Sequence, residues 1–170
     1  LADSLSLDHL TGFSEILVPF FARRPNAVLE LKTKSTQIER LLGLDPCGRT
    51  IVSWSLNSKK IQKEEEHKCA SIDERLEAAR KVAEAGYRVG FHFDPIIDYP
   101  GWENDYEEVI EETLATVPSE RIAWISLGCL RFMPALKSVM QNRFPKSELP
   151  LGEWIQGMDG KIRYFKPRRI

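Results

Sequence analysis

A chain of 170 residues is long enough for one domain with a real core and short for two. Its 24 basic and 25 acidic residues leave a net charge of −1, so no global field recruits nucleic acid or membrane, and any such partner must be met by a local patch. No run approaches the roughly 18 apolar residues of a membrane span, and the opening LADSLSLDHL lacks the basic and apolar regions of a secretion signal; the expectation is a cytoplasmic protein. Cys47, Cys69 and Cys129 match neither a zinc spacing nor a disulfide framework. They read as three unrelated reduced thiols, with Cys129 packed as a small hydrophobe behind an apolar strand.

In chain order, residues 4–24 carry Leu10, Phe13, Ile16, Leu17 and Phe20 at helical spacing, and 27–34 then read as a strand. Residues 35–43 predict a short helix with Ser35 or Thr36 as N-cap and Gly43 as C-cap, followed by a strand at 49–57. The charge run KKIQKEEEHK at 59–68 predicts a solvated loop or helix face. A helix at 71–87 opens on Ser71 with Glu74 three residues on, a capping box, and closes at Gly86 before a strand at 88–95. A helix at 102–117, a strand at 120–128 and a helix at 134–144 with Pro134 in its first turn complete the alternation. Strands separated by helices imply parallel pairing through right-handed crossovers. In the tail, Asp159-Gly160 between two semi-apolar runs predicts a hairpin.

Strands of a parallel sheet covered on both faces usually read as continuous apolar runs, and these do not. Leu29 and Leu31 alternate with Glu30, Lys32 and Lys34; Val52, Trp54 and Leu56 with Ser53, Ser55 and Asn57; Phe91 and Phe93 with His92 and Asp94. Trp124, Ser126 and Gly128 stand opposite Ile125 and Leu127. The apolar faces must bury against helices, which leaves the polar faces to share the other side of one sheet. A barrel or half-barrel would gather Lys34, Ser55, Asn57, His92 and Asp94 in its lumen, near the C-terminal rim where such folds bind ligands. Taken singly, each has a plainer reading: His92 a hydrogen-bonded core histidine, Asp94 a cap on the turn at Pro95, Lys34 a rim lysine, and Ser53, Ser55 and Asn57 partners of nearby backbone.

LADSLSLDHLT, LELKTKS, SWSLNS, RLEAARKVAEAGYRVGFHFDPI, GWENDYEE and LRFMPALKSVMQNRFPKSEL, in that order, resemble the spore photoproduct lyase family of radical S-adenosylmethionine proteins. The resemblance runs nearly end to end through this chain and covers the C-terminal part of such an enzyme. It implies an α/β fold, a partial parallel (β/α)6 barrel whose last four strands lie in residues 1–150, with 151–170 as a basic tail or hairpin. The family's Cys-x3-Cys-x2-Cys motif does not occur in the chain.

The resemblance further implies S-adenosylmethionine and a 4Fe-4S cluster as cofactors, the cluster ligands lying upstream, and an external electron donor as partner. DNA or a related nucleic acid is the implied substrate, repaired by adenosyl-radical hydrogen abstraction. It assigns Asp3, Lys34, Ser55, Asn57 and Asp94 to cofactor binding and His92 and Arg131 to the substrate. Asp94 stands where a small residue is expected in a true lyase, and His92 where an apolar one is. Such a cofactor offers carboxylate, amine and hydroxyl groups, which suit a cation at Lys34, an acceptor at Asp3, and the hydroxyl and amide of Ser55 and Asn57. Arg131 with Lys161, Arg163, Lys166, Arg168 and Arg169, interleaved with Tyr164 and Phe165, reads as a basic and aromatic patch for nucleic acid, or as a solvated hairpin. The competing reading is a non-catalytic or truncated α/β ligand-binding module.

Overall fold

The computed structural model describes residues 3–149 and 153–165. The predicted first helix is two helices, α1 (Asp8–Thr11) and α2 (Phe13–Ala22), hinged at Gly12 in the left-handed region with φ 62°. Asp8 fixes the hinge, its carboxylate accepting from the Ser14 N–H at 2.9 Å and the Ser14 hydroxyl at 2.5 Å. The face of α2 turned inward is Ser14 and Val18; Leu10, Phe13, Ile16 and Phe20 are exposed. The apolar periodicity therefore marks a helix correctly but not its packed side.

Strand β1 (Leu29–Thr33) leads to α3 (Glu39–Leu42), which Ile38 rather than Ser35 or Thr36 precedes as N-cap, with Gly43 at its C-cap. Ser35 is used otherwise: its hydroxyl accepts from the Gln37 N–H and its carbonyl from the Trp54 indole. After β2 (Thr50–Ser55) the charge run folds as α4 (Lys59–Glu65), capped by the Ser58 hydroxyl. Lys60, Lys63 and Glu64 form the expected solvated face, while Ile61 on the other side is buried and Lys59 reaches Glu112 at 2.6 Å, Asp73 at 3.1 Å and Glu108 at 3.2 Å. Helix α5 (Ile72–Glu84) carries the capping box of Ser71 and Glu74, and β3 (Arg88–Ile96), α6 (Trp102–Thr116) and β4 (Ile122–Cys129) follow. Cys129 is exposed, not packed as a small hydrophobe, because it ends a strand whose outer face is open.

Strands β1 to β4 form one sheet in the order β1-β2-β3-β4, with every neighbouring pair parallel. Short β5 (Arg131–Phe132), α7 (Leu136–Arg143), β6 (Glu153–Gln156) and β7 (Ile162–Phe165) complete the elements. β6 and β7 pair as the predicted antiparallel hairpin, and β5 joins the far side of β7. Lys166, Arg168 and Arg169 of the predicted basic patch lie outside the described residues.

One face of the parallel sheet is the core: Leu31, Val52, Trp54, Leu56, Val89, Phe91 and Phe93 pack against Val18, Leu41, Leu76, Ala79, Val82, Tyr106 and Val109. The alternation of Phe91 and Phe93 with His92 and Asp94 is thus resolved as expected, the phenylalanines being at most 1% exposed. β4 departs from the rule. Ile125 and Leu127, on its apolar face, are 42% and 67% exposed, since the helices reach β1 to β3 but not this edge.

Candidate functional site

At the C-terminal end of β1 the chain is tied down by Asp3. One carboxylate oxygen accepts from the Thr33 hydroxyl at 2.6 Å and the N–H groups of Leu5 and Ser6; the other accepts from the Lys34 N–H at 2.6 Å. Burial pushes the Asp3 carboxyl up, but these four bonds outweigh it and hold it below the usual range. Its acceptor capacity is spent on the protein, so Asp3 positions the Lys34 backbone.

Lys34 Nζ meets Glu66 at 2.7 Å, and Glu66 also takes Arg75 Nη2 at 2.7 Å. Arg75 is fully buried and fully bonded, donating also to the carbonyls of Ala70 and Ser55. Burial raises the Glu66 carboxyl, yet Lys34 and Arg75 together bring it below its ordinary value. This network walls a cleft of about 720 Å³ whose lining includes Asp3, Lys34, Ser35, Glu66 and Cys69. Lys34, 37% exposed along its side chain, is a cation at that opening, and exposed Lys68 is another in the lining.

The uncovered face of the sheet holds a second constellation. Register places Lys32, Ser53, Gly90 and Trp124 in one row and Ser55, His92 and Ser126 in the next. His92 Nε2 lies 2.8 Å from Glu30 Oε1, and its Nδ1 lies 2.6 Å from the Ser126 hydroxyl. Ser53 donates to the same Glu30 oxygen at 2.7 Å. Trp124 sits edge-on to His92 over Gly90, where an added Cβ would come within 2.7 Å of the indole nitrogen. Only glycine leaves room for the indole at that row. Ser53 and Ser55 are buried on this face because the longer side chains of the flanking strands close over them.

Nearer the rim, Asp94 pairs with Arg131 at 2.5 Å, both partly exposed. Gly128 makes way for the pair, since a Cβ there would stand 2.8 Å from Asp94 Oδ1. The Asp94–Pro95 peptide is cis. Asn57 is drawn elsewhere: its amide donates to the Pro95 carbonyl at 3.3 Å and its oxygen takes the Tyr106 hydroxyl, in a junction under α6 that is 2% exposed.

The structure therefore joins Asp3 with Lys34, Ser55 with His92, and Asp94 with Arg131, and holds Asn57 apart as a buried strut. Four residues went unread as site members. Arg75 left a signal, for it falls on the apolar stripe of its helix with Ile72, Leu76 and Ala79; a charge on such a stripe must find a partner. Glu66 hid inside a charge run. Glu30 and Ser126 stood on the correct face, but their bonds to His92 cross strands far apart in sequence.

Among the described residues no group of three His, Cys, Asp or Glu side chains is placed to hold a metal ion, and Cys47, Cys69 and Cys129 are free thiols on different elements. A 4Fe-4S cluster does not fit these residues. A ligand with a carboxylate end does fit the cleft, which presents the partly exposed Lys34 ammonium, steadied by Glu66, at its opening. Among the described residues no helix is long and apolar enough to cross a membrane.

A four-stranded parallel sheet with helices on one side and bonded polar side chains on the other defines an α/β domain. The family model of spore photoproduct lyase matches residues 1–165, and the chain belongs to that family. It is 32% identical over 154 residues to the spore photoproduct lyase of Geobacillus sp. (strain Y412MC61), covering 89% of this chain and 45% of the relative. It is 32% identical over 173 residues to that of Bacillus subtilis (strain 168), covering 97% and 51%. The solved structure of spore photoproduct lyase complexed with dinucleoside spore photoproduct superposes with a TM-score of 0.85 at 30% identity, over 97% of this chain and 51% of that one. A double mutant with bound AdoMet and dinucleoside spore photoproduct gives a TM-score of 0.83 at 29% identity, again over 97% and 51%. The chain spans about half the length of the curated relatives it matches.

Proposed function

We propose that this chain is the C-terminal portion of a radical S-adenosylmethionine enzyme of the spore photoproduct lyase type, acting on a lesion in DNA. The observation that carries the reading is the Lys34–Glu66 pair at the mouth of the cleft, where the C-terminal end of a parallel strand presents a cation that the carboxylate at the end of α4 holds in place. That the solved relatives hold AdoMet and dinucleoside spore photoproduct supports it. The 4Fe-4S ligands come, in this reading, from outside the described residues.

S-adenosylmethionine, with a cluster held outside the described residues, would supply hydrogen-atom abstraction; binding and shielding would fall to this chain. Lys34 holds a carboxylate, Glu66 orients Lys34 and is itself held by Arg75, and Asp3 fixes the strand end that carries Lys34. Ser55 lies under the same rim. Asp94 and Arg131 bound the substrate side, where their exposed pair can open to a polar ligand. In the full-length protein a barrel closed over this uncovered polar face would keep water from a reactive centre.

Calorimetric titration of S-adenosylmethionine into the protein at its full encoded length, with and without Lys34→Ala, tests this. Loss of one charge-assisted hydrogen bond costs about 1.5 to 3 kcal/mol, roughly ten- to over a hundredfold in affinity. Equal affinity in the two proteins would remove Lys34 from the cofactor site.

A further inference from the structure

The line Ser126–His92–Glu30 crosses the uncovered face from β4 through β3 to β1, and its hydrogens can be placed from chemistry. A carboxylate only accepts, so the 2.8 Å contact requires His92 Nε2–H to donate to Glu30. In the neutral ring Nδ1 is then the acceptor, and the hydroxyl 2.6 Å away must donate to it. The 3.4 Å approach of the Trp124 N–H to Nε2 is a van der Waals neighbour in this arrangement, not a competing bond. Hydroxyl, imidazole and carboxylate thus stand in the order in which a base is made: the imidazole can take the hydroxyl proton while the carboxylate holds the imidazolium that forms.

The rest of the surface is built to keep this order. Ser53 donates to Glu30 Oε1 as well, fixing the carboxylate. Burial raises the Glu30 carboxyl, and its bonds to Ser53 and His92 then lower it below the ordinary value, so it is ionised at neutral pH. The charges facing the line are Glu30 itself, Lys32 further along β1, and Asp94 two residues up β3, neutralised by Arg131. Glu30 is 39% exposed along its side chain and His92 14%, so one end of the line meets water while the ring is sheltered.

We infer that Ser126, His92 and Glu30 form a proton relay on the ligand face of the sheet, with Ser126 as the contact to the ligand and His92 and Glu30 as positioning residues. It rests on the reading above for its ligand, a nucleotide-like substrate presenting an exchangeable sugar O–H or base N–H. The proton leaves that group for Ser126 Oγ as the Ser126 proton passes to His92 Nδ1. The ligand keeps the electron pair, and the reverse movement returns the proton.

Two measurements on the full-length protein test it. Ring-nitrogen chemical shifts should show His92 protonated at Nε2 and bare at Nδ1 near neutral pH; a ring protonated at Nδ1 instead overturns the relay whatever the substrate. In turnover of dinucleoside spore photoproduct, Ser126→Ala and His92→Gln should each slow the rate by about a hundredfold or more, and Ser126→Thr should restore it. Glu30→Gln keeps an acceptor but removes the charge that holds the imidazolium, so it should slow turnover as well. A wild-type protein that neither binds S-adenosylmethionine nor consumes the lesion sinks the functional reading. A wild type that turns over, with these variants equally fast, sinks the relay alone.

Discussion

Two arginine–carboxylate pairs border the polar side of this sheet, and they are built oppositely. Arg75 is fully buried, makes four bonds to four different groups, two backbone carbonyls and the side chains of Glu66 and Cys69, and shares Glu66 with Lys34. Arg131 meets Asp94 through one nitrogen, with side chains 42% and 26% exposed. The first pair is a fixed piece of architecture, because removing either member strands a charge away from water. The second is a contact that water or a ligand can replace with little loss. The rim thus has one rigid wall, at the cleft lined by Lys34 and Glu66, and one exchangeable wall, outside that cleft where Asp94 meets Arg131.

The largest test of that contrast is Arg75→Ala. It leaves Glu66 with half its partners and uncaps the carbonyls of Ala70 and Ser55, and should cost about 3 to 5 kcal/mol in urea unfolding. A loss within 1 kcal/mol would show that the wall is not rigid. An intermediate effect is expected from acid. Glu66, Asp3 and Glu30 all have carboxyls held below their ordinary values in the folded protein. Stability from each is therefore complete above the ordinary carboxyl value near 4 and is lost as pH falls below it. Glu66→Gln should flatten that acid slope, read as Tm against pH between about 5 and 2.5. The smallest effect belongs to Arg131→Ala, which should change stability by less than about 1 kcal/mol while weakening the lesion's binding to the full-length protein. A large unfolding penalty there would make the two walls alike.

The alternation of β1 to β3 made both faces of the sheet legible, since a residue's face follows from its parity along the strand. It gave Phe91 and Phe93 to the core and His92 and Asp94 to the ligand side. Parity holds only while the strand lasts, so it put Asn57, two residues past the end of β2, on the polar face and missed its capture by Tyr106 from α6. The same limit hid Glu66, whose partners lie on another strand and another helix. The stripe of Leu10, Phe13, Ile16 and Phe20 shows the converse: periodicity finds a helix, but which side packs is decided by the neighbours, and here Val18 and Ser14 won. At β4 the sheet's edge did the same to Ile125 and Leu127.

The most direct measurement is turnover. The full-length protein, reduced and supplied with S-adenosylmethionine, is incubated with dinucleoside spore photoproduct, and the lesion is followed by chromatography in wild type and Lys34→Ala. The account predicts consumption by the wild type that depends on S-adenosylmethionine and is at least tenfold slower in the variant at limiting cofactor. An untouched lesion in a wild-type protein that binds S-adenosylmethionine would contradict it.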